Sequence, residues 1–168
     1  MELVKDLFLT ESFLVKGHVR TGGRRLSNYL NNLGRKFIEV HDATLVGVQQ
    51  GDRIVTARAM ISIDEILLAH ELLESAGDET FKRMSDIEGD LALVNLYFGG
   101  RLPLEVSGKM RKKAYMRTDL GDQDFLIVNE PTVEGLAGKR PREFQLLKRT
   151  PYVIVNKRRI AYVFDYSA

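Results

Sequence analysis

The stretch RKFIEVHDATLVG, residues 35–47, is nearly restated eighty-eight positions later as QDFLIVNEPTVEG, residues 123–135. Phe37, Val40, Thr44 and Gly47 recur as Phe125, Val128, Thr132 and Gly135, while Ile38, His41, Asp42 and Leu45 meet the related Leu126, Asn129, Glu130 and Val133. Upstream, VKGHVR (15–20) matches VSGKMR (106–111) through Val, Gly and Arg, and downstream MISID (60–64) parallels YVIVN (152–156). Three matches in one order point to an internal duplication. A period of roughly 90 residues is too long for a solenoid unit, so two copies of a small domain fit better.

The local pattern reads as β. Ile38, Val40 and Leu45, with their counterparts Leu126, Val128 and Val133, are apolar with polar residues between them, the two-residue period of a half-buried strand. Pro131 cannot donate to a ladder, so the strand of the second copy is expected to end near Glu130 and that of the first to bend near Ala43. Gly47 and Gly135 then close the following strand at a turn. YVIVNKRRIAYVF (152–164) reads as a hairpin around a basic tip. Asp64-Glu65 reads as the matching tip, aligned with Asn156-Lys157. LALVNLYF (91–98) reads as a hairpin with RLPLEVSGKM, turning tightly at Gly99-Gly100.

One helix is expected over 27–33, because Leu26, Tyr29, Leu30 and Leu33 fall at helical spacing. Ser27 is placed to cap it and Gly34 to end it. KKAYMRTDLGD (112–122) offers no such stripe in the second copy. ESAGDETFKRMSDIEGD (74–90) is acidic and poor in large apolar residues. The expected organisation is a β-barrel repeat at 1–73, an acidic linker at 74–90 and a second repeat at 91–168. The fold class is mainly β: two tandem related small barrels, SH3-like, Sm-like or PilZ-like, with one or two short helices.

RRLSNYLNN, KFIEVHDATLVG and MISIDEI together resemble a family of uncharacterised bacterial proteins with an Arg-Leu-Ser-(Asp/Asn), Leu-Asn and Phe-Ile strand running into Asp-Ala. The resemblance implies a bacterial, cytoplasmic protein and carries no activity. A second resemblance is to the signature of PilZ domains, barrels that bind cyclic di-GMP. Arg20 and Arg24 have the Arg-x-x-x-Arg form, and Asp42, Thr44 and Gly47 the Asp-x-Ser-x-x-Gly form with Thr for Ser. It implies that the Arg pair grips phosphate and stacks on guanine while Asp42 and Thr44 bond its edge. Read from the residues alone, Asp42 and Thr44 make a local turn bond at a strand bend, and Gly47 permits the turn.

The 168 residues are 44% hydrophobic and 29% charged, a globular profile without eighteen consecutive apolar residues. The N-terminus lacks the basic-then-apolar build of a signal peptide. With no Cys, disulfides and thiol chemistry are excluded and a cytoplasmic home is the simplest reading. Residues 1–89 carry 11 Lys and Arg against 14 Asp and Glu, whereas residues 90–168 carry 14 against 9. Such asymmetry marks either an acidic partner or, the reading placed first, two halves that attract each other or a neighbouring copy.

His18, His41 and His70 stand singly, without metal-ligand spacing, and no nucleophile, phosphate loop or triad is evident. No metal, cofactor or enzymatic activity is therefore expected. Lys109, Arg111, Lys112, Lys113 and Arg117 form a candidate basic patch for nucleic acid, with further clusters at 139–142, 148–149 and 157–159. The same residues would serve as solvated loops and guarded edge strands. The leading expectation is a binding or assembly module that meets a protein partner or another copy. The alternative is a receptor for cyclic di-GMP or nucleic acid.

Overall fold

The computed structural model describes residues 5–32, 34–72, 90–112, 114–116, 123–136, 141–148 and 150–166. The expected acidic linker lies outside them except for Asp90, as do Leu33, Lys113 and Arg117. The strands are β1 (Lys5–Leu9), β2 (Phe13–His18), β3 (Phe37–Gly47), β4 (Arg53–Ser62), β5 (Leu68–Leu72), β6 (Leu91–Phe98), β7 (Glu105–Arg111), β8 (Phe125–Glu134), β9 (Tyr152–Asn156) and β10 (Ile160–Asp165), and among the described residues Leu26–Leu30 is the α-helix α1. The chain is mainly β, and its strands form one antiparallel sheet in the order β10-β6-β7-β8-β9-β5-β1-β2-β3-β4. The pairing is that of an open sheet and not of two closed barrels, since β4 and β10 stand at its ends. The halves join through LAHEL and YVIVN: β5 and β9 are buried at every position, their edges pair with each other, and their two faces enter the two cores.

Each half has the same strand order, β5-β1-β2-β3-β4 in one and β10-β6-β7-β8-β9 in the other. The local geometry also repeats. Gly17 lies opposite Asp6 and Gly108 opposite Val94, and the pairing with the next strand shifts register at each glycine, between Lys16 and His18 and between Ser107 and Lys109. A Cβ on Gly17 would stand 2.5 Å from Val40 Cγ1 and 2.7 Å from the His41 carbonyl; on Gly108 it would stand 2.5 Å from Val128 Cγ1 and 2.7 Å from the Asn129 carbonyl. Asp42 and Glu130, next in line, share a φ of 48°. The restated stretch is thus a long strand that bulges where it passes a glycine. Ile38, Val40, Leu126 and Val128 are all buried beside that bend. Gly108→Ala is expected to cost about 2–3 kcal/mol, because the carbonyl in its way belongs to the ladder and cannot swing aside. Gly17→Ala should cost about the same, and equal shifts of the two denaturation midpoints would check it.

Several local expectations are corrected. β8 does not end at Glu130 but continues to Glu134, since the ladder to β7 pairs Lys109 with Asn129 and then Ser107 with Thr132, leaving Pro131 at the bulge with no bond to lose. YVIVNKRRIAYVF is not a hairpin. β9 pairs with β8 and β5, β10 pairs with β6, and Lys157–Arg159 is a 3-10 turn between them. Asp64-Glu65 likewise sits in the 3-10 turn Ile63–Glu65. Ser62, not Asp64, takes the place of Asn156, because both face the strand-opening Phe37 or Phe125. β6 and β7 do form the expected hairpin, but its connection runs from Gly99 to Leu104 rather than turning in two residues. α1 begins after Arg25, so Ser27 is a buried helical residue and not the cap, and it closes at Asn31 before Gly34. That Asn31 bonds back to the second half: its side chain accepts from Phe125 N–H at 2.8 Å and donates to the Phe125 carbonyl at 3.1 Å.

Two cores result, and each borrows from the other half. One gathers Phe8, Val15, Leu26, Leu30, Ile38 and Val40 with Phe125, Tyr152 and Ile154. The other gathers Val94, Leu96, Val106, Met110 and Val128 with Leu7, Leu9, Leu68 and Leu72. No helix among the described residues is long and apolar enough to cross a membrane.

Candidate functional site

Three features stand out on this frame: a basic groove, a buried polar cluster at the joint between halves, and the two free sheet edges.

The groove has a volume of about 470 Å³ and is walled by Lys5 of β1, Lys16, Gly17 and His18 of β2, Asp42 and Thr44 of β3, Arg53 and Val55 of β4, and Arg142, Glu143 and Leu146 of the 3-10 segment Arg142–Lys148. Strand alternation and the Asp42 bulge turn these side chains to one surface. Arg53 Nη2 sits 2.6 Å from Glu143 Oε1, with Arg142 Nε 3.8 Å from the same oxygen. Lys5 and Lys16 carry no ion pair among the described residues, so the groove is biased towards anions. Of the residues in the PilZ-like pattern, Asp42 and Thr44 line it. Arg20 and Arg24 are exposed between β2 and α1 and do not. Gly47 ends β3, where its N–H donates to the Asp52 carbonyl at 2.8 Å. Lys5, Lys16, Arg53 and Arg142 were not singled out by sequence for this role, since they come from separate elements and form no motif.

At the joint, Asp6 of β1 and Glu71 of β5 are paired neighbours, both buried. Burial, then the charge of Glu71, pushes the Asp6 carboxyl well up, against a 3.1 Å hydrogen bond donated by Val19 N–H. Burial also raises Glu71, although Tyr152, Arg25 and the Leu26 backbone favour its charged form. The Tyr152 hydroxyl lies against Glu71 without meeting strict hydrogen-bond geometry, and burial followed by the Glu71 charge raises it far above its ordinary value. On the opposite face of β5, His70 is fully buried between Leu68 and Leu72 and faces Leu7 across the ladder. Neither of its ring nitrogens has a partner among the described residues, and burial lowers it to about 3.

The basic clusters turn largely inward on the chain. Arg159 sits 2.9 Å from Glu11, Arg158 3.5 Å from Asp64 and 3.9 Å from Asp124, and Lys109 2.9 Å from Glu130. Glu11 and Asp64 belong to the first half, so two of these contacts join the halves, whereas Asp124 and Glu130 lie in the second half itself. Lys109, Arg111 and Lys112 are exposed at β7 and just beyond it, whereas Lys113 and Arg117 of the same proposed patch lie outside the described residues.

The exposed large apolar side chains gather at the sheet's ends. Ile54, Val55 and Met60 lie on β4 with Phe37 on its neighbour β3; Tyr162 and Phe164 lie on β10, Tyr166 just after it, and Leu91 and Leu93 on its neighbour β6. Apart from Met116, every exposed large apolar residue described belongs to one of these two groups. β4 is ten residues long, contains no Pro and carries only Arg53 and Arg58 as charges. Over its ten residues those two arginines are the guards it carries against strand pairing.

No protein family, curated protein or solved structure matches the chain.

Proposed function

We propose that the chain is a duplicated pair of five-strand units, and that it works without catalysis, as an assembly module that adds strands from a partner to its open sheet edges. The observation that carries this reading is the gathering of exposed apolar residues at β4 and β10. A long, largely apolar edge presents a row of backbone donors and acceptors to any matching strand. The shared strand order and the twin bulges at Gly17 and Gly108 support the duplication. A bacterial cytoplasmic setting belongs to the same proposal and rests on the sequence resemblance.

The test is photo-crosslinking in cells. A crosslinking residue in place of Val55 or Tyr162 should yield discrete adducts, and one in place of the exposed Lys112 should not. Edge positions that capture no more than the control would sink the reading.

A second reading has its own observation. Lys5 and Lys16 beside Asp42 and Thr44 suit a small anionic ligand, cyclic di-GMP among them. A native-state ligand raises the melting temperature by mass action. A thermal-shift rise with cyclic di-GMP that Lys16→Ala abolishes would favour it, and no shift at saturating dinucleotide would remove it.

A further inference from the structure

Inside the chain, β9 of the second half pairs antiparallel with β5 of the first, Leu68 opposite Val155 and Ala69 opposite Ile154. In the shared strand order β9 corresponds to β4, and β5 to β10. Those two counterparts are the strands left free at the ends of the sheet. We propose that copies of this chain join head to tail, β4 of one adding antiparallel to β10 of the next, so that the joint inside each chain is repeated between chains. The proposal rests on the assembly reading and names its partner.

The registers make the correspondence specific. Phe37 faces Ser62 as Phe125 faces Asn156, which puts Met60 in the place of Ile154 and Arg58 in the place of Tyr152. Asp6 faces Gly17 as Val94 faces Gly108, so Phe8 corresponds to Leu96. Phe8 faces Ala69 as Leu96 faces Val163, which puts Tyr162, Phe164 and Asp165 in the places of Leu68, His70 and Glu71. The joint between chains therefore sets Val163 opposite Met60 and Tyr162 opposite Ile61.

The exposures follow the same map. Leu68, His70 and Ile154 are each 0% exposed inside the joint, whereas their counterparts Tyr162, Phe164 and Met60 are 68%, 53% and 57% exposed. Large apolar side chains thus stand exposed at the positions whose counterparts a neighbouring unit covers inside the chain. Charge chooses the direction. The internal contact of Tyr152 with Glu71 becomes Arg58 against Asp165, the latter already held at 2.8 Å by the Tyr115 hydroxyl. β4 carries only positive charges and β10 only a negative one, so head-to-tail pairing opposes unlike charges, whereas pairing like edges would oppose like ones. Such an interface is heterologous and gives rings if the rotation closes and filaments if it does not. Because each chain supplies two units, a closed ring contains an even number of them.

The experiment is multi-angle light scattering of the purified full chain at rising concentration. A mass that is a multiple of 19.1 kDa is expected. Arg58→Glu and Asp165→Arg, each alone, should reduce it to a single chain without changing the circular dichroism, since both side chains lie outside the cores. Mixing the two variants should restore assembly, because the altered edge of one meets the altered edge of the other while the remaining edges stay native. Met60→Asp should abolish assembly and resist rescue by either variant. A native chain that stays monomeric at every concentration, or a mixture that fails to recover, overturns the proposal. If the chain is monomeric while the crosslinkers at positions 55 and 162 still capture other proteins, copy-to-copy pairing falls and the assembly reading stands. If they capture nothing, both fall.

Discussion

In the His70→Leu variant, stability is expected to rise as the pH falls from neutral, whereas in an Asp6→Asn/Glu71→Gln variant it is expected to fall. The two titrations work against each other in the native chain. His70 is lowered from 6.5 to about 3 by burial. Below 6.5 the unfolded chain takes a proton there that the folded chain refuses, so stability present above that pH is lost as the pH falls towards the folded value. The loss is about 2 kcal/mol by pH 5 and about 5 kcal/mol when the drop is complete.

Asp6 and Glu71 are raised above 3.8 and 4.5, mainly by burial. Here the folded chain holds protons that the unfolded chain releases. Their contribution is full below the ordinary carboxyl values and is lost as the pH rises through the folded ones. Denaturant midpoints measured across this range for the native chain and the two variants separate the effects. Parallel curves for all three would show that none of these groups titrates differently on folding. Leu is chosen at position 70 because its volume is close to that of His and the site is apolar on both flanks, so packing should change little.

The half-buried strand period was legible in the sequence, and Gly17 and Gly108 occupy matching places in the two strand orders. What local sequence did not carry was which strand each segment would pair with. KRR at 157–159 and IDE at 63–65 look like hairpin tips because both lie between apolar runs, yet each is a 3-10 turn that hands the chain to a different neighbour. The choice is made by β5 and β9, which are buried at every position and feed side chains into both cores. The groove was half legible for a related reason. Asp42 and Thr44 belong to one strand and left a pattern, whereas Lys5, Lys16, Arg53 and Arg142 meet only when the sheet has formed.

Neither half is expected to fold alone, and Ile154→Ala is expected to cost about 2–5 kcal/mol in a single unfolding transition that involves both. Ile154 belongs by sequence to the second half, but its side chain is fully buried in the core of the first, beside Phe8, Ala69 and Ile38. Leu7, Leu9 and Leu68 make the reverse contribution. A fragment of residues 1–89 would leave β5 without β9 and Phe125 missing from above α1. A fragment of residues 90–168 would expose Ile154, Val155 and Tyr152 along an unpaired strand. Circular dichroism and one-dimensional NMR should find each fragment without dispersed tertiary structure and a mixture of the two recovering it. Denaturation of the full Ile154→Ala chain followed by both methods should give coincident curves. A folded single fragment, or two separated transitions, would mean that each half closes a core of its own, and the joint would then be a contact between finished domains rather than the strand pairing that completes both.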